Sequence, residues 1–324
     1  MIEKGLDKNM PFEIKKNTAA GAPLGTEIFG VDLENLDDET FTKIEEAFNE
    51  NHVIIVHEQS LSPEAQVALT SRIGRPNVHV RSSEFSMPDY PSINLVTNVQ
   101  EDGKSIGSAY AGVAWHSDLC FQLRPSRATT LFAVETPPPN ADGTTLGDTY
   151  FANVVRAYET LPSHLKKAID GRRGIFQYAR RQNMKHQEDN KITGRTDLSE
   201  EQSKLIPDVT HPIVRSHPLT GKKSLFINET YAFGITGMPE DEGRALIQEL
   251  QAHITKPDNV YRHHWQDGDL IIWDNTAAQH KASKDYRWPE HRRLMRHTGA
   301  LYPEETYCGE IFEHSTDTAA VSAY

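Results

Sequence analysis

The sequence predicts a mainly β fold, a sandwich or jelly-roll core that carries helical insertions. Three observations favour this class. Short runs with strand character recur along the chain, helical patterns lie between them, and the strict βαβα alternation of a doubly wound sheet is absent. The 324 residues show no internal repeat, and an all-β domain with insertions reaches this length alone.

The first half of the chain carries clear helix signals. Phe41, Ile44 and Phe48 are spaced as on one face of a helix, and Ser62 followed by Pro63 is an N-cap with proline at the first helical position. The predicted elements are strands at 26–33, 53–56, 93–97 and 128–134, with helices at 37–51, 63–74, 153–160 and 163–170.

In the second half, Pro239 and the acidic residues after it predict a helix over 239–254. Strands are predicted at 260–265, 269–273 and 292–301, whereas 76–114 is loop-rich. The charged stretch 180–208 has few large apolar residues, so we predict an excursion from the core or a lid. The expected organisation is an N-terminal extension (1–20), one domain (21–303) and a C-terminal tail (304–324).

The composition excludes several classes of protein. The formal net charge of −12 disfavours binding to a nucleic-acid backbone, and no apolar run is long enough to span a membrane. The N-terminus lacks the apolar stretch of a secretory signal, so we expect a cytoplasmic protein. The two cysteines, Cys120 and Cys308, form no Cys-x-x-Cys pair.

The 15 histidines are the unusual feature, because imidazole is the commonest metal ligand among side chains. Two are followed two positions later by an acidic residue: His116 by Asp118, and His186 by Glu188 within the polar excursion. In extended chain, positions i and i+2 point the same way. His280, expected in a loop after strand 269–273, is a candidate third ligand. Two histidines and one carboxylate are typical of non-haem Fe(II) oxygenases, although the residues alone leave structural histidines as an alternative.

Three arginines near the C-terminal end are candidates for binding the remote carboxylate of a 2-oxo acid. In an extended strand, Arg293 and His297 share one face, whereas Arg292 and Arg296 share the other. Periodicity does not decide which face looks inward.

An ordered set of short motifs resembles the taurine dioxygenase / 2,4-D dioxygenase family of Fe(II)- and 2-oxoglutarate-dependent oxygenases. The resemblance covers roughly residues 20–303. Its motifs lie at 115–118, 147–149, 211–212, 217–218, 225–229, 273–275 with His280, and 292–293.

The resemblance implies a double-stranded β-helix (jelly roll) and a role for individual residues. His116, Asp118 and His280 would bind Fe(II), and Arg293 with Thr149 would bind the distal carboxylate of 2-oxoglutarate. The implied reaction uses O2 to hydroxylate a small organic substrate, with possible later cleavage or desaturation, and releases succinate and CO2. The presence of Asp118 favours these outcomes over halogenation, because related halogenases lack that carboxylate.

The substrate site departs from the taurine pattern. In the taurine enzyme a second arginine follows four residues after the 2-oxoglutarate arginine, and His297 stands there in this chain. We therefore expect a substrate less anionic than taurine, or one whose anion is met by other groups. His79, Tyr178, Tyr231 and His297 are the candidate substrate contacts.

Two other functions remain open from the sequence. One is a metal-binding jelly-roll protein without oxygenase activity, which would not explain Arg293 and Thr149. The other is an oxygenase that acts on a protein- or carrier-bound substrate, with 180–208 as docking surface. The family resemblance also implies a homo-oligomer, a dimer or tetramer.

Overall fold

The computed structural model describes residues 11–17, 22–189 and 198–302, without the side chains of 185–189. Within these ranges the chain forms 19 strands and eight α-helices. The strands are β1 (Glu13–Lys16), β2 (Thr26–Phe29), β3 (Val53–Val56), β4 (Arg75–Pro76), β5 (Ser86–Met87), β6 (Tyr90–Thr97), β7 (Gln100–Glu101), β8 (Lys104–Ser105), β9 (Ser126–Glu135), β10 (Thr149–Asn153), β11 (Arg173–Phe176), β12 (Val209–Pro212), β13 (Val214–Ser216), β14 (Lys223–Leu225), β15 (Ala232–Ile235), β16 (Val260–His263), β17 (Leu270–Asp274), β18 (Ala278–Ala282) and β19 (Leu294–Leu301). The helices are α1 (Asp38–Asn51), α2 (Pro63–Ile73), α3 (Ser82–Phe85), α4 (Val154–Glu159), α5 (Ser163–Ile169), α6 (Tyr178–Asp189), α7 (Glu200–Leu205) and α8 (Glu240–Ile254).

The largest sheet has nine strands in the order β1-β2-β3-β17-β9-β19-β6-β5, with β4 paired to β19. Its β2–β3 pair is parallel and its other pairs are antiparallel. A smaller sheet, β16-β10-β18, contains the strand of His280. The prediction of a mainly β fold with inserted helices is confirmed.

The large sheet is buried on both faces, as strand β3 shows. Val53 and Ile55 belong to a core shared with Phe151 of β10, between the two sheets. Ile54 and Val56 point the opposite way, into the core that α1 and α2 cover. Burial of each such side chain stabilises the fold by about 1.5–3 kcal/mol. A third core lies where α4, α5 and α8 cover the strands around β15.

Most predicted helices are confirmed, and their caps explain why. The Ser62 side chain accepts a hydrogen bond from the Ala65 N–H, with Pro63 at the first helical position of α2. Asp37 caps α1 in the same way through the Thr40 N–H. Within the described residues, no helix is long and apolar enough to cross a membrane.

The structure differs from the sequence prediction in four places. His280 lies inside strand β18 rather than in a loop. The sequence did not predict this strand, because AQHKA contains none of the β-branched residues that mark a strand. Strand β1 falls in the predicted N-terminal extension and pairs with β2. The loop-rich stretch 76–114 contains α3 and five short strands or strand ends, and 180–208 contains most of α6 and all of α7.

Candidate active site

Two histidines and one carboxylate, from separate parts of the chain, meet at one point. The ligand atoms of His116, Asp118 and His280 all lie within 4.8 Å of one another. Within the described residues this is the one group of three or more His, Cys, Asp or Glu side chains that meets the spacing of a metal site. His116 Nε2 is 3.5 Å from Asp118 Oδ1, and His280 Nε2 is 3.8 Å from Asp118 Oδ2. The donor set and its spacing suit a single divalent ion.

His116 is held by its backbone and by its ring. The backbone forms an antiparallel bridge with His280, with N–H to carbonyl distances of 3.0 and 2.8 Å. Ring Nδ1 donates to the Ala114 carbonyl at 2.8 Å. Because Nδ1 carries the proton in that bond, the Nε2 lone pair is left for a metal ion.

His280 is buried between two rings. Its ring centroid lies 4.2 Å from that of His116 and 4.5 Å from that of Trp273. Burial lowers the pKa of His280 to about 3. The imidazole is therefore neutral at physiological pH, which is the protonation state that binds a metal.

Asp118 is held as an ionised carboxylate. Burial alone would raise the pKa of this carboxyl, but hydrogen bonding to its oxygens, including the bond from His297, holds the pKa well below its usual range. Its Oδ2 accepts a hydrogen bond from the Thr129 hydroxyl at 2.7 Å and lies 3.4 Å from His297 Nε2. Its backbone N–H donates to Asn275 Oδ1 at 3.0 Å.

Arg293 is a fully buried cation, with 1% of its surface exposed. Its Nε and Nη1 have no hydrogen-bond partner among the described residues, and its guanidinium lies 5.4 Å from the Tyr286 ring. A buried guanidinium that lacks partners is costly. An anion bound beside Arg293 would satisfy these two N–H groups.

Thr149 starts strand β10, two residues after a glycine that contacts Arg293. Gly147 has a positive φ of 73°, and a Cβ there would lie 3.3 Å from Arg293 Cδ. The hydroxyl of Thr149 is buried and accepts from Trp265 Nε1 at 2.9 Å, so its own proton is available to an acceptor. The structure thus brings the segment of Thr149 next to Arg293.

A cavity of about 170 Å³ opens beside His116 and Asp118. All four candidate substrate residues, His79, Tyr178, Tyr231 and His297, line it. The Phe121 ring packs against two of them, with ring centroids 4.3 Å from Tyr178 and 4.9 Å from Tyr231. His79 Nδ1 accepts from the Arg81 N–H at 3.1 Å.

Three sets of residues remain from the sequence: the pair His186 and Glu188, the adjacent His263 and His264, and the arginines near residue 293. The side chains of His186 and Glu188 lie outside the described residues. His263 is buried and His264 exposed, as expected for neighbours on a strand. His297 lines the cavity and Arg293 lies beside Gly147 and Tyr286, while Arg296 packs over Phe132.

Sequence reasoning missed two groups of residues. Thr129 and Asn275 orient Asp118, and Arg181 of α6 lines the cavity. Asn275 belongs to motif 273–275, so the sequence carried a signal that could have identified it. Neither Thr129 nor Arg181 carries a local signal, because each acquires its role only when distant strands and helices meet.

Comparison with known proteins agrees with this geometry. Residues 14–298 match the family described as "Taurine catabolism dioxygenase TauD, TfdA family". The chain is 34% identical over 278 residues to an alpha-ketoglutarate-dependent 2,4-dichlorophenoxyacetate dioxygenase of Cupriavidus pinatubonensis. The alignment covers 83% of this chain and 91% of that protein.

Two solved structures are similar over almost their whole length. A putative alpha-ketoglutarate-dependent 2,4-D dioxygenase from Burkholderia xenovorans has a TM-score of 0.71 and 28% identity, covering 92% of this chain and 100% of that one. A protein described as AAD-2, in complex with Mn(II) and N-oxalylglycine, has a TM-score of 0.73 and 25% identity, covering 93% and 100%.

Proposed function

The chain belongs to the taurine catabolism dioxygenase TauD, TfdA family, and from this membership we propose that His116, Asp118 and His280 bind its catalytic Fe(II). The protein is a 2-oxoglutarate-dependent dioxygenase that acts on a small organic substrate. Its cofactor is Fe(II), and its cosubstrates are 2-oxoglutarate and O2.

The observation that carries the ligand assignment is the meeting of three ligand atoms within 4.8 Å of one another, each held in the protonation state that binds a metal. The Nδ1 proton of His116 is bound to a carbonyl, His280 is neutral, and Asp118 is ionised. A 2-His-1-carboxylate set leaves further positions of the ion open.

Arg293 and Thr149 are the proposed partners of the distal carboxylate of 2-oxoglutarate. The unpartnered Nε and Nη1 of Arg293 leave N–H donors of a buried cation for an anion to accept from, which supports binding of a carboxylate here. The Thr149 hydroxyl, at the start of strand β10, supplies a further donor.

Bound Fe(II) supplies O2 activation coupled to decarboxylation of 2-oxoglutarate, which yields succinate, CO2 and a hydroxylated product. The role of the protein's own residues is to position the ion, the cosubstrate and the substrate relative to one another. Asp118 and the two histidines would hold the ion, and Arg293 would orient the cosubstrate. The aromatic cavity walls exclude water and hold the substrate beside the ion.

His79, Tyr178, Tyr231 and His297 are proposed to contact the substrate. Support comes from their shared lining of one cavity that reaches two of the metal ligands. His297 donates toward Asp118 rather than presenting a guanidinium, so the metal end of the cavity carries no arginine from β19.

The wider architecture extends the proposal. We infer a double-stranded β-helix in one domain, 21–303, supported by the core that the large sheet and the β16-β10-β18 sheet share. A homo-oligomer and a cytoplasmic location stay predictions, as does a lid formed by 180–208.

Succinate formation with Fe(II), ascorbate and 2-oxoglutarate tests the assignment. We expect His116→Ala, Asp118→Ala and His280→Ala each to abolish turnover and to lose Mn(II) binding. His164→Ala is the control, because its side chain is 73% exposed and lies away from the site. Retained turnover in any ligand variant would refute that residue's role. Metal binding without any 2-oxoglutarate turnover would favour a sensor, and turnover only with protein-bound substrates would favour the carrier-dependent alternative.

A further inference from the structure

The chain between β18 and β19 carries Tyr286, a tyrosine that is 2% exposed. Its ring lies against the guanidinium of Arg293, with 5.4 Å between Cζ and the ring centroid. A cation beside an aromatic ring is attracted by the ring's quadrupole, and the attraction is stronger where water is excluded. The ring of Tyr286 therefore stabilises Arg293 in the orientation that leaves its Nε and Nη1 without a hydrogen-bond partner among the described residues.

The hydroxyl of Tyr286 contacts a different part of the molecule. It donates to the Ala109 carbonyl at 2.8 Å. Burial raises the pKa of this hydroxyl, and the positive charge of Arg293 opposes the rise. The phenol is therefore protonated at physiological pH and can serve as the donor. Through its ring and its hydroxyl, Tyr286 joins Arg293 to Ala109.

Ala109 belongs to a segment, 108–114, that forms part of the wall of the cavity beside the metal ligands. Five of its residues line this cavity: Ser108, Ala111, Gly112, Val113 and Ala114. The segment also contacts His116. The Ala114 carbonyl accepts from His116 Nδ1 at 2.8 Å, and a Cβ on Gly112, whose φ is 72°, would lie 3.1 Å from His116 Cε1. The position of the 108–114 segment thus affects both the cavity and a proposed metal ligand.

Backbone hydrogen bonds hold the 108–114 segment on either side of Ala109. The Ser108 N–H donates to the Leu95 carbonyl at 2.9 Å, and the Gly112 carbonyl accepts from the Ala282 N–H at 2.8 Å. Between these points Tyr286 adds its hydrogen bond to Ala109 and a contact with the ring of Tyr110, at 5.8 Å between centroids. Loss of the Tyr286 hydroxyl should therefore loosen the middle of the segment while its backbone attachments remain.

The backbone that carries Tyr286 is itself attached beside Thr149. Asp285 Oδ1 accepts from the Gly147 N–H at 2.8 Å and from the Ser283 hydroxyl at 2.7 Å. The Ser283 N–H donates to the Asp148 carbonyl at 2.8 Å. These bonds fix residues 283–286 relative to the start of strand β10, so the ring of Tyr286 has a firm base from which to position Arg293.

We propose that Tyr286 is a positioning residue that links the 2-oxoglutarate site to the substrate cavity. Its ring holds the Arg293 guanidinium for the distal carboxylate, and its hydroxyl holds the 108–114 segment in the cavity wall. An anion bound to Arg293 fixes the guanidinium against the ring, and the ring restrains the segment through Ala109. The inference rests on the proposed function, because it uses Arg293 as the residue that binds the cosubstrate.

Calorimetry of N-oxalylglycine binding to the Mn(II)-loaded protein tests the ring contact. We expect Tyr286→Leu to weaken this binding about tenfold or more, the loss expected for a desolvated cation–π contact. Tyr286→Phe keeps the ring and should retain the wild-type affinity, and both variants should keep the wild-type Mn(II) affinity. In an Arg293→Gln background, Tyr286→Leu should have little further effect, because the losses from two coupled residues are not additive.

Hydrogen–deuterium exchange read by mass spectrometry tests the hydroxyl contact. In the Mn(II)-loaded wild-type protein, N-oxalylglycine should slow exchange across 107–114 about fivefold or more, since a restrained segment opens less often. Tyr286→Phe should bind the ligand and lose most of that slowing, with exchange in β3 unchanged. Tyr261 provides matched controls, because it is a buried tyrosine whose hydroxyl lies 3.0 Å from His263 Nδ1. Tyr261→Phe and Tyr261→Leu should show the wild-type exchange and the wild-type N-oxalylglycine affinity.

An unchanged N-oxalylglycine affinity in Tyr286→Leu, additive losses in the double variant, or an equal loss in Tyr261→Leu would overturn the role of the ring. The same slowing of exchange in Tyr286→Phe as in the wild-type protein would overturn the link to the cavity, and this variant decides the matter even if Tyr286→Leu does not fold. Failure of the proposed function would appear separately. The Mn(II)-loaded wild-type protein would then not bind N-oxalylglycine, or Arg293→Gln would leave that binding unchanged.

Discussion

The hydroxyl of Thr129 donates a 2.7 Å hydrogen bond to Oδ2 of Asp118, and this hydroxyl itself accepts from Asn275 Nδ2 at 3.0 Å. Asn275 Oδ1 in turn accepts from the Asp118 N–H and from Trp273 Nε1. One asparagine of the β17–β18 turn therefore holds the backbone of the proposed ligand and, through Thr129, its carboxylate. We expect Asp118 to present Oδ1 to the metal, because Oδ2 is already engaged.

Thr129→Val should weaken metal binding while the fold is kept. The variant removes the donor to Asp118 Oδ2 without changing side-chain shape, and loss of such a supporting bond costs about 10–100-fold in metal affinity. Mn(II) titration followed by calorimetry measures it. The control is Thr130→Val, since Thr130 lies on the opposite face of β9 and contacts Thr70. An Mn(II) affinity within twofold of the wild-type value in Thr129→Val would show that Asp118 needs no such support.

Arg293→Lys should raise the KM for 2-oxoglutarate about 10–100-fold and leave kcat at saturation close to the wild-type value. Lysine keeps the charge but loses the two-point fork, and a charge-assisted hydrogen bond contributes about 1.5–3 kcal/mol. Succinate formation at varied 2-oxoglutarate measures it. Arg292→Lys is the control, because Arg292 is exposed and pairs with Glu135 at 2.8 Å. If both variants share the wild-type KM, another residue binds the distal carboxylate.

Local sequence signals predicted the helices well and identified His116 and Asp118 as a candidate ligand pair, because a cap such as Ser62 or a two-residue spacing is a short-range property. The strand of His280 was not predicted, since its AQHKA sequence is stabilised by pairing with β10 rather than by intrinsic propensity. The choice of Arg293 required the family resemblance, because the predicted strand 292–301 carries Arg293 on one face and Arg292 and Arg296 on the other. Arg181 lies in a stretch whose composition indicates only a polar surface, and its place in the cavity wall depends on where α6 packs.

Buried neutral histidines should make the fold sensitive to acid. Burial lowers the pKa of His211 to about 3 and that of His52 to about 4. Both values lie below the pKa of about 6.5 in the unfolded chain, so the unfolded state binds more protons below pH 6.5. The stabilising contribution is complete above pH 6.5 and is lost as the pH falls toward 3 or 4. Each histidine should cost about 2 kcal/mol of unfolding free energy between pH 7 and pH 5.

His211→Gln isolates one of these contributions. Urea unfolding at pH 7 and pH 5 should show a loss of stability about 2 kcal/mol smaller than in the wild-type protein, because glutamine does not titrate. The glutamine amide can still donate to the Gln122 carbonyl that His211 contacts at 2.9 Å. His164→Gln changes an exposed histidine and should leave the pH dependence unchanged. An identical pH dependence in His211→Gln and the wild-type protein would contradict the assignment.

The buried pair of His217 and Asp274 should determine the position of His280. Asp274 Oδ2 lies 2.6 Å from His217 Nε2, and its Oδ1 accepts from the Thr276 and Ala277 N–H groups. His217 Nδ1 accepts from the Leu219 and Thr220 N–H groups, so its proton is on Nε2 and points at Asp274. Asp274 thereby fixes the turn that joins β17 to β18, the strand that carries His280.

Asp274→Asn should lower the unfolding free energy by about 3 kcal/mol, because one member of a fully buried charge-assisted pair is replaced. It should also weaken Mn(II) binding, since the turn before His280 loses its anchor. Asp269→Asn is a stringent control: Asp269 is 1% exposed, precedes the same strand β17, and is bound by His57 and His263. We expect it to lose comparable stability in urea unfolding and to keep its Mn(II) affinity. Equal losses of Mn(II) affinity in both variants would mean that general destabilisation, rather than the 274–277 turn, determines how His280 reaches the metal.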